Sequence, residues 1–228
     1  MVTRLRTSFS DRRLAVLAGL GALSAIVVGL VVFRVAYTGT LDNSGLVWNL
    51  FLAWIPLGLA LLLYDRRVRR ARLASLMGIG VLWLLFFPNA PYIVTDFVHL
   101  AGDKGEKRFW FDGVLIGTAA TTGLLLGFVS LYLLQAIVRR RVGAGSAWLL
   151  VFVALGLSSA GVYLGRVLRW NSWDVFVRPG SVAGQLGRAL ADPLAHPRPI
   201  GVTLLFTSFL AASYLVFYRL ARASSLLD

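Results

Sequence analysis

The sequence predicts an all-α, polytopic membrane bundle of six transmembrane spans. Three observations carry this expectation. The 228 residues are 58% hydrophobic with a mean hydropathy of +0.76, beyond the range of a soluble globular domain. The apolar residues gather into six runs, most of them close to the roughly 20 residues that a helix needs to cross a hydrocarbon core of about 30 Å. The charged residues are only 14% of the chain and stand in short blocks between those runs.

Taken in order, spans are expected near Leu14–Phe33, Leu46–Tyr64, Leu73–Phe87, Gly113–Val138, Ala147–Gly165 and Ile200–Tyr218, within one transmembrane domain covering residues 1–228. The first follows Arg4, Arg6, Arg12 and Arg13, as a signal peptide would. Its apolar core is longer than the roughly 7–15 residues of a signal peptide, and no small-x-small site follows, so a retained helix is expected. The third run ends early, at Pro88 and Pro91. Proline removes a backbone donor and disfavours helical geometry before it, so a break or kink is expected there. Fifteen residues at about 1.5 Å each reach only about 22 Å, which would leave Asn89 to Tyr92 at membrane depth without full helical bonding. Irregular backbone at that depth is tolerated only inside protein or along a wet cavity. An outward-facing crevice lined by Asn89, Tyr92, Thr95, Asp96 and His99 is therefore expected. Asp112 precedes the fourth run and is expected to cap it. In the fifth, Ser158, Ser159, Gly156, Gly161 and Gly165 suit close helix packing. Residues 172–199 form the longest connection, an extracytoplasmic loop in which Val182, Leu186 and Leu190 recur at the spacing of a short amphipathic helix.

Orientation follows from the arginines and lysines. With the N-terminus inside, fourteen positive charges and three acids fall on the cytoplasmic side, and nine positive charges and seven acids on the other. The positive-inside rule then places both termini in the cytoplasm. This arrangement also accounts for the net charge of +13 without nucleic acid, since the basic residues flank spans and form no basic face. Cysteine is absent, which excludes disulfides and thiolate metal sites. No phosphate-cradling glycine loop, dinucleotide fingerprint, His-Glu-x-x-His or Gly-x-Ser-x-Gly pattern occurs, and the sequence leaves the cofactor unknown.

Two polar stretches remain, and this topology brings both to one face. Asp96 and His99 are three apart, so a helix continuing past Pro91 would set them on one side. Carboxylate and imidazole suit acid–base or substrate-orienting work and half of a metal site. They equally suit a cap and a hydrogen-bonded histidine, with Asp96 paired to an arginine. The only other histidine is His196, in the long loop, so no metal set is assigned. The second stretch holds Tyr163, Arg166 and Arg169 on one helical stripe, followed by Asn171, Trp173 and Asp174. Its guanidinium groups could pair with Asp96, Asp112 or Asp174, could snorkel to lipid phosphates, or could grip an anionic group in two-pronged fashion.

The run Phe87-Pro88-Asn89-Ala90-Pro91-Tyr92 with Thr95-Asp96 and His99, and the run Gly161-Val162-Tyr163-Leu164-Gly165-Arg166 through Arg169-Trp170-Asn171-Ser172-Trp173-Asp174, resemble the two signatures of a bacterial multi-pass membrane family. That family is known only as domain of unknown function 1361. The resemblance implies a bacterial membrane location and supplies no activity. The expected function is an extracytoplasmic-facing intramembrane site for an anionic or lipid-linked molecule, in the cytoplasmic membrane of a bacterium. Asp96 and His99 would orient or titrate there, and Arg166 and Arg169 would hold the negative group. Asn89, Tyr92, Thr95, Asp112, Tyr163, Asn171, Trp173 and Asp174 would line it. A transporter, or an accessory subunit in which both motifs only lock the bundle, is the alternative.

Overall fold

The computed structural model describes residues 2–64, 73–101, 106–167 and 197–223, and the isolated positions 177, 180 and 184. Among these residues every regular element is helical: α1 (Val2–Thr38), α2 (Gly45–Tyr64), α3 (Leu73–Phe86), α4 (Asn89–Tyr92), a 3₁₀ helix (Ile93–Ala101), α5 (Glu106–Val142), α6 (Ala144–Val167) and α7 (Pro197–Ala223). Six stretches are long and apolar enough to cross a membrane: Arg13–Thr38, Gly45–Tyr64, Leu76–Leu100, Phe109–Val142, Ala144–Arg166 and Ile200–Ala223. The expected six-span, all-α architecture is what the chain forms. Val182, Leu186 and Leu190, which carry the amphipathic helix expected in residues 172–199, lie outside the described residues. The last helix opens at Pro197, where a proline loses no helical bond.

Helix α5 is the spine of the bundle. It packs against α1, α2, α4, the 3₁₀ helix, α6 and α7, and its apolar face is the most deeply buried. One core unites α1, α2 and the first half of α5 through Val27, Leu50, Leu57, Leu115 and Ile116. A second unites α3, α6 and α7 with the other half through Trp83, Phe87, Leu131, Leu155 and Tyr214. Several buried polar groups between spans are paired, although the Ser158 hydroxyl is buried without a partner. Ser130 donates to the Pro56 carbonyl at 3.0 Å and accepts from the Trp83 indole at 2.6 Å, and Tyr214 donates to Gln135 at 2.8 Å.

The third span breaks where expected, at Phe87–Pro88, yet it does not stop there. Pro88 and Ile93 both keep right-handed helical dihedrals, and the Tyr92 amide reaches the Pro88 carbonyl at 3.1 Å. The Ala90 amide is diverted to Phe87, and the Asn89 side chain takes the carbonyl of Phe86 thereby released, at 2.9 Å. Beyond Tyr92 the chain tightens into the 3₁₀ helix, so the expectation of a span too short for the bilayer is corrected. Glycines receive this break. A Cβ at Gly123 would stand 2.5 Å from the Ala90 oxygen and 2.9 Å from Ile93, and one at Gly127 would stand 3.0 Å from Ala90. On α6 a Cβ at Gly161 would meet Pro88 at 3.1 Å, whereas Gly156, expected to serve close packing, has nothing within 4 Å.

Candidate functional site

The 3₁₀ helix has three residues per turn, so side chains three apart eclipse. Ile93, Asp96 and His99 thereby form one column. Ile93 is fully buried, Asp96 is 5% exposed, and the His99 side chain is 56% exposed, so the column runs from core to water. The His99 Nε2 lies 3.7 Å from Asp96 Oδ1. Arg166, in the last turn of α6, reaches across. Its Nη1 donates to Asp96 Oδ1 at 3.1 Å and its Nη2 to the Thr95 carbonyl at 2.9 Å, with the guanidinium carbon 5.8 Å from the centre of the Tyr92 ring. From α2, Asn49 donates to the other carboxylate oxygen, Oδ2, at 3.3 Å. Three elements therefore meet at one carboxylate, and the two sequence stretches touch through Arg166 and Asp96.

A crevice of about 190 Å³ opens beside this meeting point. Tyr92, Asp96, His99 and Arg166 line it together with Asp42, Asn43 and Asn49. Of the residues expected to line it, Asn89 and Thr95 do not. Asn89 caps α3, and Thr95 donates to the Tyr92 carbonyl at 2.7 Å. Tyr163, half-buried one turn before Arg166, is likewise not part of the lining. Arg169, Asn171, Trp173 and Asp174 lie outside the described residues.

Asp112 is neither a cap nor a lining residue. Helix α5 begins at Glu106, about two turns before the expected start, which sets Asp112 inside the helix. There it is gripped by Arg34, with Nε to Oδ1 at 2.6 Å and Nη2 to Oδ2 at 3.1 Å. The pair is shielded from solvent, at 5% and 2% side-chain exposure. Arg34 also donates to Thr40 at 3.3 Å, and Thr40 to Asp42 at 2.9 Å. This chain of contacts fastens the turn after α1, which Gly39 enters at a φ of +67°, and so sets Asp42 and Asn43 at the crevice.

Sequence reasoning missed Arg34, Asp42, Asn43 and Asn49. A signal existed for two of them. Arg34 interrupts the end of an apolar run and Asn49 stands within one, and polar groups inside spans point to partners. Asn43 is buried, 6% exposed, and its Nδ2 has no hydrogen-bond partner. Among the described residues no three His, Asp or Glu side chains gather as a metal-ligand set.

The opposite end of the bundle is basic and aromatic. Arg13 stacks 4.4 Å from the Tyr64 ring with Arg140 at 5.8 Å, and Arg139 and Arg222 both donate to the Tyr218 hydroxyl, at 3.0 and 3.3 Å.

Comparison with known proteins returns no curated protein and no solved structure. A family model does match, over residues 48–212. That range takes in Asn49, Tyr92, Asp96, His99 and Arg166 and leaves Arg34, Asp42 and Asn43 before it. The chain is thus a multi-pass membrane protein that belongs to the family described as protein of unknown function (DUF1361).

Proposed function

We propose that the crevice recognises the polar headgroup of an anionic or lipid-linked molecule at the outer leaflet of a bacterial cytoplasmic membrane. The observation that carries this reading is the convergence of three helical elements on Asp96 beside an open, polar-lined space. A carboxylate that only locked a bundle would need its partners but not the space. The orientation rests on the arginine blocks, which put the Arg13, Arg140 and Arg222 end inside. His99, the most exposed member of the column, would meet the ligand first, and Arg166 and Asn49 would hold Asp96 in place behind it.

One distance favours a second, catalytic reading of the same site. An imidazole 3.7 Å from a fixed carboxylate is close to the arrangement in which an oriented histidine moves a proton. Lipids retained through purification in nanodiscs, identified by native mass spectrometry, test both readings. Recognition predicts that Asp96→Asn or His99→Ala strips a retained lipid species while the protein stays folded. Catalysis predicts that His99→Gln keeps the lipid bound but stops its conversion. Retained lipids identical in wild type and in all three variants would overturn the site.

A further inference from the structure

We infer that the group seated in the crevice is an uncharged, hydroxyl-rich glycosyl ring and not a phosphate. This rests on the headgroup reading above and narrows it. Among the described lining residues, two carboxylates, Asp42 and Asp96, face a single guanidinium. That guanidinium, Arg166, already gives one N–H of each terminal nitrogen to Asp96 and to the Thr95 carbonyl. The nearby Arg34 is held by Asp112 and also stands 3.7 Å from Asp42, so its one charge is shared between two carboxylates. Among the described lining residues an entering anion would meet net negative charge, and like charges at short range repel.

Asp42 and Asn43, which also line the crevice, ask for a different chemistry. Asn43 Nδ2 is buried without a partner, and a buried donor left unpaired is costly, so it calls for an acceptor. Next to it the Asp42 carboxylate is 65% exposed. It takes one bond from Thr40, lies 3.7 Å from Arg34 Nη2 and keeps lone pairs that call for a donor. A hydroxyl is both donor and acceptor, so neighbouring hydroxyls on one ring satisfy an amide and a carboxylate supplied by successive residues. Tyr92 lines the same crevice, with its ring centre 5.8 Å from the Arg166 guanidinium carbon. The volume of about 190 Å³ is below the roughly 300–1,000 Å³ of pockets that enclose drug-sized ligands. It holds on the order of six waters at ~30 Å³ each, which suits one ring and not an oligosaccharide.

The full-length protein in phosphatidylcholine nanodiscs tests this. The discs are doped in turn with monohexosyl (glucosyl and galactosyl) diacylglycerols and with phosphatidic acid, and retention is read by native mass spectrometry. A further arm adds free glucose and galactose to compete with the monohexosyl lipids. Preferential retention of the monohexosyl lipids is expected. Asn43→Ala and Asp42→Asn should each weaken it roughly three- to tenfold, the size of one lost hydrogen bond. Asn43→Ala should not lower the unfolding temperature, because its amide nitrogen makes no bond in the unliganded protein. Asp42→Asn, at an exposed position, keeps the test open if Asn43→Ala misfolds. Competition by the free sugars would place the source of the ring in solution, and its absence in the lipid, both within the inference. Preference for phosphatidic acid, or hexosyl retention unchanged in both variants, would overturn it and leave the headgroup reading standing. Retention of none of these lipids, together with unchanged co-purified lipids in Asp96→Asn, would sink both.

Discussion

Arg34→Met should destabilise the bundle by about 3–5 kcal/mol, the cost of leaving one member of a buried ion pair without its partner. The magnitude follows from the setting. Both side chains are almost wholly shielded, at 5% and 2% exposure, and two parallel hydrogen bonds of 2.6 and 3.1 Å join them. At an effective dielectric of 20, unit charges 4 Å apart attract by about 4 kcal/mol. Losing Arg34 leaves the carboxylate of Asp112 inside the helix bundle without the two bonds that Arg34 gives it. Asp112→Leu should cost somewhat less, because Arg34 keeps Thr40 at 3.3 Å and the Asp42 carboxylate at 3.7 Å. The double variant Arg34→Met/Asp112→Leu, which removes both charges together, should recover most of the loss, because a well-packed apolar pair replaces a buried ion pair at little net cost. Equilibrium unfolding in mixed micelles, with tryptophan fluorescence as the signal, measures all three. A single-variant loss below about 1 kcal/mol would refute the reasoning. Such a value is what ordinary hydrogen bonds between transmembrane helices show, at about 0.6 kcal/mol, because the unfolded state in the membrane finds substitutes.

Gly123→Ala should cost about 1–3 kcal/mol by the same assay, since its Cβ would stand 2.5 Å from a backbone oxygen that cannot move aside cheaply, while Gly156→Ala, with nothing within 4 Å, should be neutral or stabilising. Wild-type stability in Gly123→Ala would contradict the seating of the helix break. A double-mutant cycle on Asp96→Asn and Arg166→Gln should give a coupling of about 1–2 kcal/mol, between the values of exposed and buried pairs, because Arg166 is 23% exposed and Asp96 7%. Additive effects would mean that the contact contributes nothing. The chain has no cysteine, so single-cysteine variants report topology without background. His99→Cys should react with an impermeant thiol reagent from the outer side of intact cells, and Arg140→Cys only after the membrane is opened. Reaction of both from one side would overturn the six-span orientation.

Much of the architecture was legible because it depends on local quantities. Run lengths and proline positions along the chain mark the six spans and the break before Pro88. The three-residue spacing of Asp96 and His99 foretold a shared face. What stayed hidden depends on distance in three dimensions. Arg34 and Asp112 are 78 positions apart, and nothing in either neighbourhood names the other. Asp112 reads as a cap only if its helix starts at the apolar boundary, but the helix runs on through the charged residues from Glu106. Asn43 looks like an ordinary turn residue. Its meaning comes from burial and from a missing partner, and a sequence displays neither. The prolines indicate that the helix changes at Pro88, but not that 3₁₀ geometry takes over.

That geometry links the break to the site. At about 100° per residue, an α-helix would turn His99 some 120° away from the direction of Ile93. At three residues per turn the 3₁₀ helix returns it to the same direction. Only in the tighter form does a column anchored on Gly123 through Ile93 continue through Asp96 to an imidazole at the crevice. The glycines of α5 and α6 that admit the break, the prolines that cause it and the arginine that clamps its far end thus serve one arrangement. A longer hydrogen-bonded α-helix would span the membrane as well or better. The poorer 3₁₀ bonding is tolerable because Arg166 takes up the Thr95 carbonyl and the Asp96 carboxylate together. The site and the irregularity of the third span are therefore one feature, and a change that straightens the span should turn His99 away from the crevice.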